Sequence, residues 1–131
     1  MIKQIERKDA YFNMPESDFS HNLYFMGLLS SGTPYGVSHL QYDLEYSLGY
    51  LHFVADTWNK QVYKQMKDDF KELMTFIKNR NIKQLVVTHS LEDGELWAKF
   101  ISRLSFPEPL IQALNGQKYL ISVMEVSKWE S

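Results

Sequence analysis

Short apolar runs separated by turn residues fill the first part of the chain. After a short apolar start at Ile2 and Ile5, residues 1–22 are polar and contain Pro15. Three apolar runs then follow one another: Leu23–Leu29, Tyr35–Leu44 and Leu48–Ala55. Runs of this length between Gly, Ser and Pro turns are typical of strands. The pattern therefore predicts one short strand, a loop or helical turn, and then an antiparallel meander of three strands.

Beyond the third of these runs, the apolar residues change to helical spacing. Within Lys60–Arg80 they recur every three or four positions: Val62, Met66, Phe70, Leu73, Met74 and Ile77. Most charged residues fall elsewhere on the helical wheel, so the pattern predicts an amphipathic helix of about five turns. The segment Asn79-Arg80-Asn81 is expected to end it, because Asn tolerates the left-handed conformation of a helix cap.

The last third of the chain predicts a strand, a second helix and a hairpin. Leu85–Thr88 is rich in β-branched residues, and Glu92–Leu104 combines acids at its start with apolar residues at helical spacing. Leu110–Leu114 and Tyr119–Val126, joined around Asn115-Gly116, are typical of a hairpin. Together the elements predict an α+β domain with a mixed, mainly antiparallel sheet of about six to seven strands and two main helices.

Composition narrows the class of protein. A chain of 131 residues is the size of one domain, so we expect residues 1–131 to form a single unit. The net charge of −2 gives no general attraction to nucleic acid or to an anionic membrane. There is no cysteine, and the four histidines lack the spacing of metal ligands, so no metal site is expected. With a charged N-terminus and no long apolar run, the sequence predicts a cytoplasmic protein.

The order of elements from Leu23 to Val126 resembles the GNAT (GCN5-related N-acetyltransferase) core. In that family a fourth strand leads into a helix that binds the pyrophosphate of acetyl-CoA. A fifth strand and another helix follow, and substrate and thioester meet where two strands splay apart. Leu51–Asp56 looks like the fourth strand and its exit, and Leu104-Ser105-Phe106 stands where the family commonly has Leu-Gly-Phe. Residues 1–22 leave little room for the helices that usually follow the first strand.

The resemblance implies a degenerate CoA loop at the start of the first helix. The family loop has the form Arg/Gln-x-x-Gly-x-Gly/Ala, in which the glycines let the backbone approach the phosphates. Here Asn59 replaces the Arg or Gln, while Val62 and Lys64 replace the glycines. Their side chains are expected to crowd the backbone, although Lys60 and Lys64 still offer positive charge to a phosphate.

The same comparison finds no proton donor at the family's position. The Tyr that many members use on the last helix corresponds to Ile101, and a frequent Asn at the start of that segment corresponds to Gly94. The candidates for a general base are four acidic or histidine residues: Glu45, His52, Asp56 and His89. His52 and His89 are expected near the splayed centre, or else are ordinary strand-end histidines whose rings bond to backbone.

The missing glycines and the missing donor favour a non-catalytic protein without a cofactor. In this it resembles GNAT-like proteins of tailed-phage structural modules, which implies head or virion assembly through a protein partner. The predicted interface consists of aromatic residues around the meander and the helix start: Tyr46, Tyr50, Trp58 and Tyr63. Two alternatives stay open: an N-acyltransferase that uses acetyl-CoA through a nonstandard site, and a small inhibitor or adaptor of a host protein.

Overall fold

A computed structural model of the chain describes the following residues: 1–10, 19–55, 58–90, 99–100, 110–114 and 116–129. Seven strands lie in these ranges: β1 (Ile2–Ile5), β2 (His21–Leu28), β3 (Pro34–Asp43), β4 (Leu48–Ala55), β5 (Gln84–Ser90), β6 (Leu110–Leu114) and β7 (Gln117–Glu125). Short 3-10 turns follow the first and last of these strands, at Arg7–Asp9 and Val126–Lys128. The predicted strands are all confirmed.

The long helix, α1, spans Lys60–Lys78, and it lies between β4 and β5 in the sequence. Asn59 caps its start, where the side-chain Oδ1 accepts a hydrogen bond from the Val62 amide at 2.9 Å. Asn81, just beyond its end, has a φ of 61°, the left-handed conformation predicted for this Asn-rich segment. The second predicted helix lies outside the described residues, apart from the helical pair Lys99 and Phe100.

The seven strands form one sheet in the order β1-β2-β3-β4-β5-β7-β6. Every neighbouring pair is antiparallel except β4 and β5, which are parallel because α1 carries the chain back to the starting end of β4. The sheet is therefore mixed and mainly antiparallel. Its single parallel pair lies beside the centre, where the sequence predicted the splayed strands.

One face of the sheet packs against α1 to form the core. The buried side of the helix consists of apolar residues at the predicted spacing: Val62, Met66, Phe70, Leu73, Met74 and Ile77. They meet sheet residues that lie on one face by alternation: Leu40, Tyr42, Leu51, Phe53, Leu85, Val87 and Met124. Phe100 packs edge-on to the rings of Tyr63 and Phe70, with centroids 5.6 and 6.0 Å apart, and so adds to this core.

A β-bulge adds a polar contact between the sheet and α1. Gly27 pairs with Gly36 but the next residue, Leu28, pairs with Pro34, so Tyr35 is the extra residue. Its hydroxyl donates to the buried carboxylate of Asp69 in α1. A Cβ on Gly27 would lie 2.4 Å from the Tyr35 ring, so only glycine leaves space for this side chain. The bulge thereby fixes α1 against the β2–β3 hairpin.

Candidate functional site

The parallel strands β4 and β5 separate before either of them ends. Their pairing runs from Leu48↔Gln84 to His52↔Thr88 and stops there. β4 then continues to Ala55 on its pairing with β3, and β5 continues to Ser90 on its pairing with β7. Each strand therefore follows its outer neighbour, and the two are unpaired with each other at their carboxyl ends; we call this unpaired interval the gap.

His52 lies at the point where this gap begins. It belongs to the last paired position of β4, its ring is half-buried, and it lies on the sheet face opposite α1. Burial lowers the pKa of His52, while a hydrogen bond with the Thr88 backbone raises it; burial has the larger effect. The imidazole is therefore neutral at neutral pH. The hydrogen bond with the Thr88 backbone also fixes the orientation of the ring. The arrangement suits a proton acceptor.

A second histidine, His39, lies directly across the β3–β4 ladder from His52. Its Nε2 lies 3.0 Å from Asn22 Oδ1 and its Nδ1 lies 3.4 Å from Gln41 Nε2. One neutral tautomer satisfies both contacts, with Nε2–H donating to Asn22 and Nδ1 accepting from Gln41. The ring also stacks on Tyr24 with centroids 4.3 Å apart. Burial, then the charges of His52 and Arg7, lower the pKa of His39 to about 4.

No role for His39 was predicted from the sequence. A partial signal was present, since His39 and Gln41 are polar residues inside the predicted strand Tyr35–Leu44, whereas Asn22 lies just before the predicted strand Leu23–Leu29. Two of them share a face through the alternation of β3, and Asn22 joins them only through the β2–β3 register. That register depends on how two separate strands pair, which cannot be predicted from the local pattern of a single sequence.

The start of α1 keeps backbone donors on its solvent side. Val62 and Tyr63 amides bond to Asn59, while Lys60 and Gln61 have no bonded amide in the described part of the chain. Val62 is 1% exposed and points into the core, so the expectation that its side chain crowds the loop is wrong. Lys60 and Lys64 are exposed. The helix start thus presents two amides and two ammonium groups, fewer amides than a glycine loop provides.

Apart from His52, no candidate base has a described side chain at the gap. Glu45 follows β3 and is exposed at the end of β4 opposite to the gap. Asp56 lies outside the described residues, as do Gly94, Ile101 and Leu104-Ser105-Phe106. His89 lies in β5 immediately past Thr88, but its side chain is outside the described part. Of the four candidates, the structure places the side chain of His52 beside the gap.

The predicted interface residues lie in two separate places. Tyr46 is 72% exposed in the β3–β4 turn, and Tyr50 is half-buried against Phe19, with ring centroids 5.2 Å apart. Trp58 and Tyr63 are half-buried at the other end of β4, where both pack edge-on to Phe100. Their role in binding a protein partner stays a prediction. Within the described ranges, no helix has the length and apolarity needed to cross a membrane, and no group of three or more His, Cys, Asp or Glu side chains could hold a metal ion.

Solved structures of acetyltransferases share this architecture. The spermidine/spermine N-acetyltransferase of Vibrio cholerae, in mutant form, matches 98% of this chain and 95% of its own with a TM-score of 0.67 and 12% identity. The match with the N-terminal domain of the ribosomal-protein-alanine acetyltransferase of Clostridium acetobutylicum covers 88% of this chain and 98% of that domain, with a TM-score of 0.64 and 11% identity. The match with the ribosomal-protein-S5-alanine acetyltransferase of Vibrio fischeri covers 84% of this chain and 64% of that protein, with a TM-score of 0.59 and 13% identity.

These similarities establish the GNAT fold. No protein-family model matches the sequence, and no curated protein does. The expected non-catalytic assembly role is wrong, because the similar structures are acetyltransferases and favour the catalytic alternative. The physical reason lies at the start of α1. The Val at the first glycine position is buried in the core, so its side chain does not lie over the start of the helix, whereas Lys64 at the second position is exposed.

Proposed function

We propose that this protein is an N-acyltransferase that moves an acyl group from acetyl-CoA, or a related acyl-CoA, to an amine. The observation that carries the proposal is the gap between β4 and β5, which opens at a half-buried, neutral histidine. In proteins of this architecture, the acyl donor and acceptor meet between such strands. Fold alone does not give function. The proposal therefore also depends on a specific residue, His52, which lies beside the gap.

Acetyl-CoA supplies an acyl group as a thioester, which is activated toward attack by an amine. An amine is protonated and unreactive at neutral pH until it loses a proton. The neutral imidazole of His52 would accept that proton, and the amine nitrogen would then bond to the acyl carbon. The carbon–sulfur bond breaks in the same transfer, and CoA leaves as a thiolate that takes up a proton from solvent. The hydrogen bond with the Thr88 backbone holds the ring in the orientation that this transfer requires.

The residues at the start of α1 are the ones that would hold the phosphates of the acyl-CoA. The amides of Lys60 and Gln61 point out of the first helical turn, where the helix dipole favours a negative charge. The side chains of Lys60 and Lys64 add positive charge on the same end. Because the loop provides fewer amides than the family pattern, this is the nonstandard CoA site of the proposal. Membership of a phage-encoded group stays a prediction.

The proposal is tested by steady-state release of free CoA from acetyl-CoA with a panel of primary amines. We expect His52→Gln to lower kcat/KM by 10²–10⁴-fold, the usual contribution of a general base. In the wild type, kcat/KM should fall only below pH 6.5, since the pKa of His52 lies beneath that ordinary value. The protonated imidazole accepts no proton, so activity is lost on the acid side.

A matched control is His21→Gln, because the His21 ring stacks on Tyr42 and lies away from the gap. It should leave kcat/KM and its pH dependence unchanged. The proposal fails if no amine in the panel is acylated, or if His52→Gln retains wild-type kcat/KM and the same acid limb.

A further inference from the structure

A cavity with a volume of about 700 Å³ lies where β4 and β5 begin, at the end of these strands opposite to the gap. Three segments line it: the β3–β4 turn, the connection from α1 to β5, and the turn that follows β7. Ile82 and Val126, which are each 2% exposed, supply its buried apolar part. Sites that bind small molecules have volumes of about 300–1,000 Å³, so this cavity is large enough for such a ligand.

Backbone hydrogen bonds join the three segments, so the cavity has a defined shape. The Ser47 carbonyl accepts hydrogen bonds from the Lys83 and Gln84 amides at 2.9 and 3.2 Å, which ties the β3–β4 turn to the start of β5. The Val126 amide donates to the Lys83 carbonyl at 2.8 Å, which ties in the turn after β7. Ser47 and Asn81 also line the cavity, with φ angles of 53° and 61°. Residues other than glycine keep this left-handed conformation where the surrounding structure holds them in place.

Positive charge is in excess among the side chains that line the cavity. Lys78 and Lys83 are exposed, and neither ammonium group has an ion pair or a hydrogen bond in the described part of the chain. Glu125 pairs with Lys128 at 3.5 Å, which leaves Glu45 as the unpaired acid of the lining. Two unpaired ammonium groups thus share the cavity with one unpaired carboxylate, in a chain whose net charge is −2. Lys78 also offsets the negative end of the α1 dipole, whereas Lys83 lies beyond the helix.

An exposed aromatic ring lies beside these charges. Tyr46 lines the cavity and is 72% exposed, and among the described residues it has neither a ring contact nor a hydrogen bond to its hydroxyl. Aromatic side chains are the usual stacking partners of nucleobases, and ammonium groups are common partners of phosphate. The cavity therefore combines the two kinds of contact that a nucleotide requires.

We propose that this cavity binds a nucleoside monophosphate, with the base on the ring of Tyr46 and the phosphate at Lys78 and Lys83. The ligand could be a free nucleotide or the nucleotide part of an acyl-CoA. The phosphates of an acyl-CoA bound for acyl transfer would lie at the start of α1, and the cavity lies at the other end of this helix. The 19 residues of α1 separate the two places by about 28 Å. The nucleotide in the cavity is therefore a different molecule, and the two proposals stand or fall separately.

Equilibrium dialysis of the full chain with AMP tests the inference. We expect saturable binding with a Kd on the order of 100 μM. Lys83→Ala should weaken binding about 10-fold, because it removes a cationic partner of the phosphate. Tyr46→Ala should weaken it by a similar factor, because it removes the surface on which the base stacks. Two matched controls should leave binding unchanged: Lys71→Ala, at an exposed lysine of α1, and Leu44→Ala, at an exposed residue of the β3–β4 turn, neither of which lines the cavity.

Further arms of the experiment separate the parts of the ligand and the two sites. Adenosine and inorganic phosphate should each bind at least about 10-fold more weakly than AMP, because each makes only one of the two contacts. Lys60→Ala combined with Lys64→Ala should keep the full affinity for AMP. Loss of AMP binding in that double variant would assign the nucleotide to the start of α1 and overturn the inference. It is also overturned if the wild type binds no AMP at millimolar concentrations, or if either Lys83→Ala or Tyr46→Ala retains wild-type affinity.

Discussion

At the scale of single residues, His39 and His52 are paired across β3 and β4 but have different surroundings. His39 is 1% exposed, and both of its ring nitrogens already have amide partners, so it offers no free lone pair. His52 is only half-buried and borders the gap, which is why we propose it as the proton acceptor. The difference follows from the strands beside them: β2 covers His39, whereas β5 separates from β4 just past His52.

The pKa of His39 predicts that the protein loses stability in mild acid. The folded state keeps the ring neutral down to about pH 4, whereas the unfolded chain binds a proton below its ordinary pKa of 6.5. Stability from this residue is thus fully present above 6.5 and is lost as pH falls toward 4. Between pH 7 and pH 5 the wild type should lose about 2 kcal/mol more unfolding free energy than His39→Gln.

Urea denaturation of both proteins at the two pH values measures this difference. His21→Gln, which removes a histidine outside the Asn22–Gln41 network, should keep the full wild-type loss. Equal pH dependence in the wild type and in His39→Gln would show that His39 titrates normally in the folded protein.

At the scale of elements, the cap of α1 stabilises the helix and occupies one of its amides. Asn59→Ala removes the acceptor of the Val62 amide, so it should lower the unfolding free energy by about 1 kcal/mol. Asn79→Ala is the control at the other end, because the hydrogen bonds at Asn79 in the described chain come from its backbone amide. Chemical denaturation checks both. Equal effects of the two substitutions would contradict a stabilising cap at Asn59.

Local pattern was sufficient to predict most elements. Leu48–Ala55 is bounded in the structure as predicted, and α1 begins at Lys60 and ends two residues before the predicted Arg80. Alternation and helical spacing are properties of short segments, so a single sequence carries them. The gap beyond His52↔Thr88 and the bulge at Tyr35 depend on which strands pair and in which register. Those features form only when distant segments meet, so the site's geometry could not be predicted residue by residue.

At the scale of the whole molecule, the loop pattern led the functional prediction in the wrong direction. A missing glycine was equated with a blocked phosphate site, which assumes that the replacing side chain points outward. Val62 points into the core because the amphipathic period of α1 places it there with Met66 and Phe70. Lys64, which replaces the second glycine, is exposed, so the inward orientation holds for Val62 alone.

The most direct test of the account is calorimetric titration of the protein with acetyl-CoA. We predict saturable binding with a Kd between about 1 μM and 1 mM, the usual range for an enzyme and its substrate. Lys60→Ala combined with Lys64→Ala should weaken binding by about 10-fold, since both ammonium groups lie at the start of α1. Lys71→Ala, an exposed lysine further along the same helix, should leave it unchanged. No binding at millimolar acetyl-CoA would contradict the acyltransferase proposal.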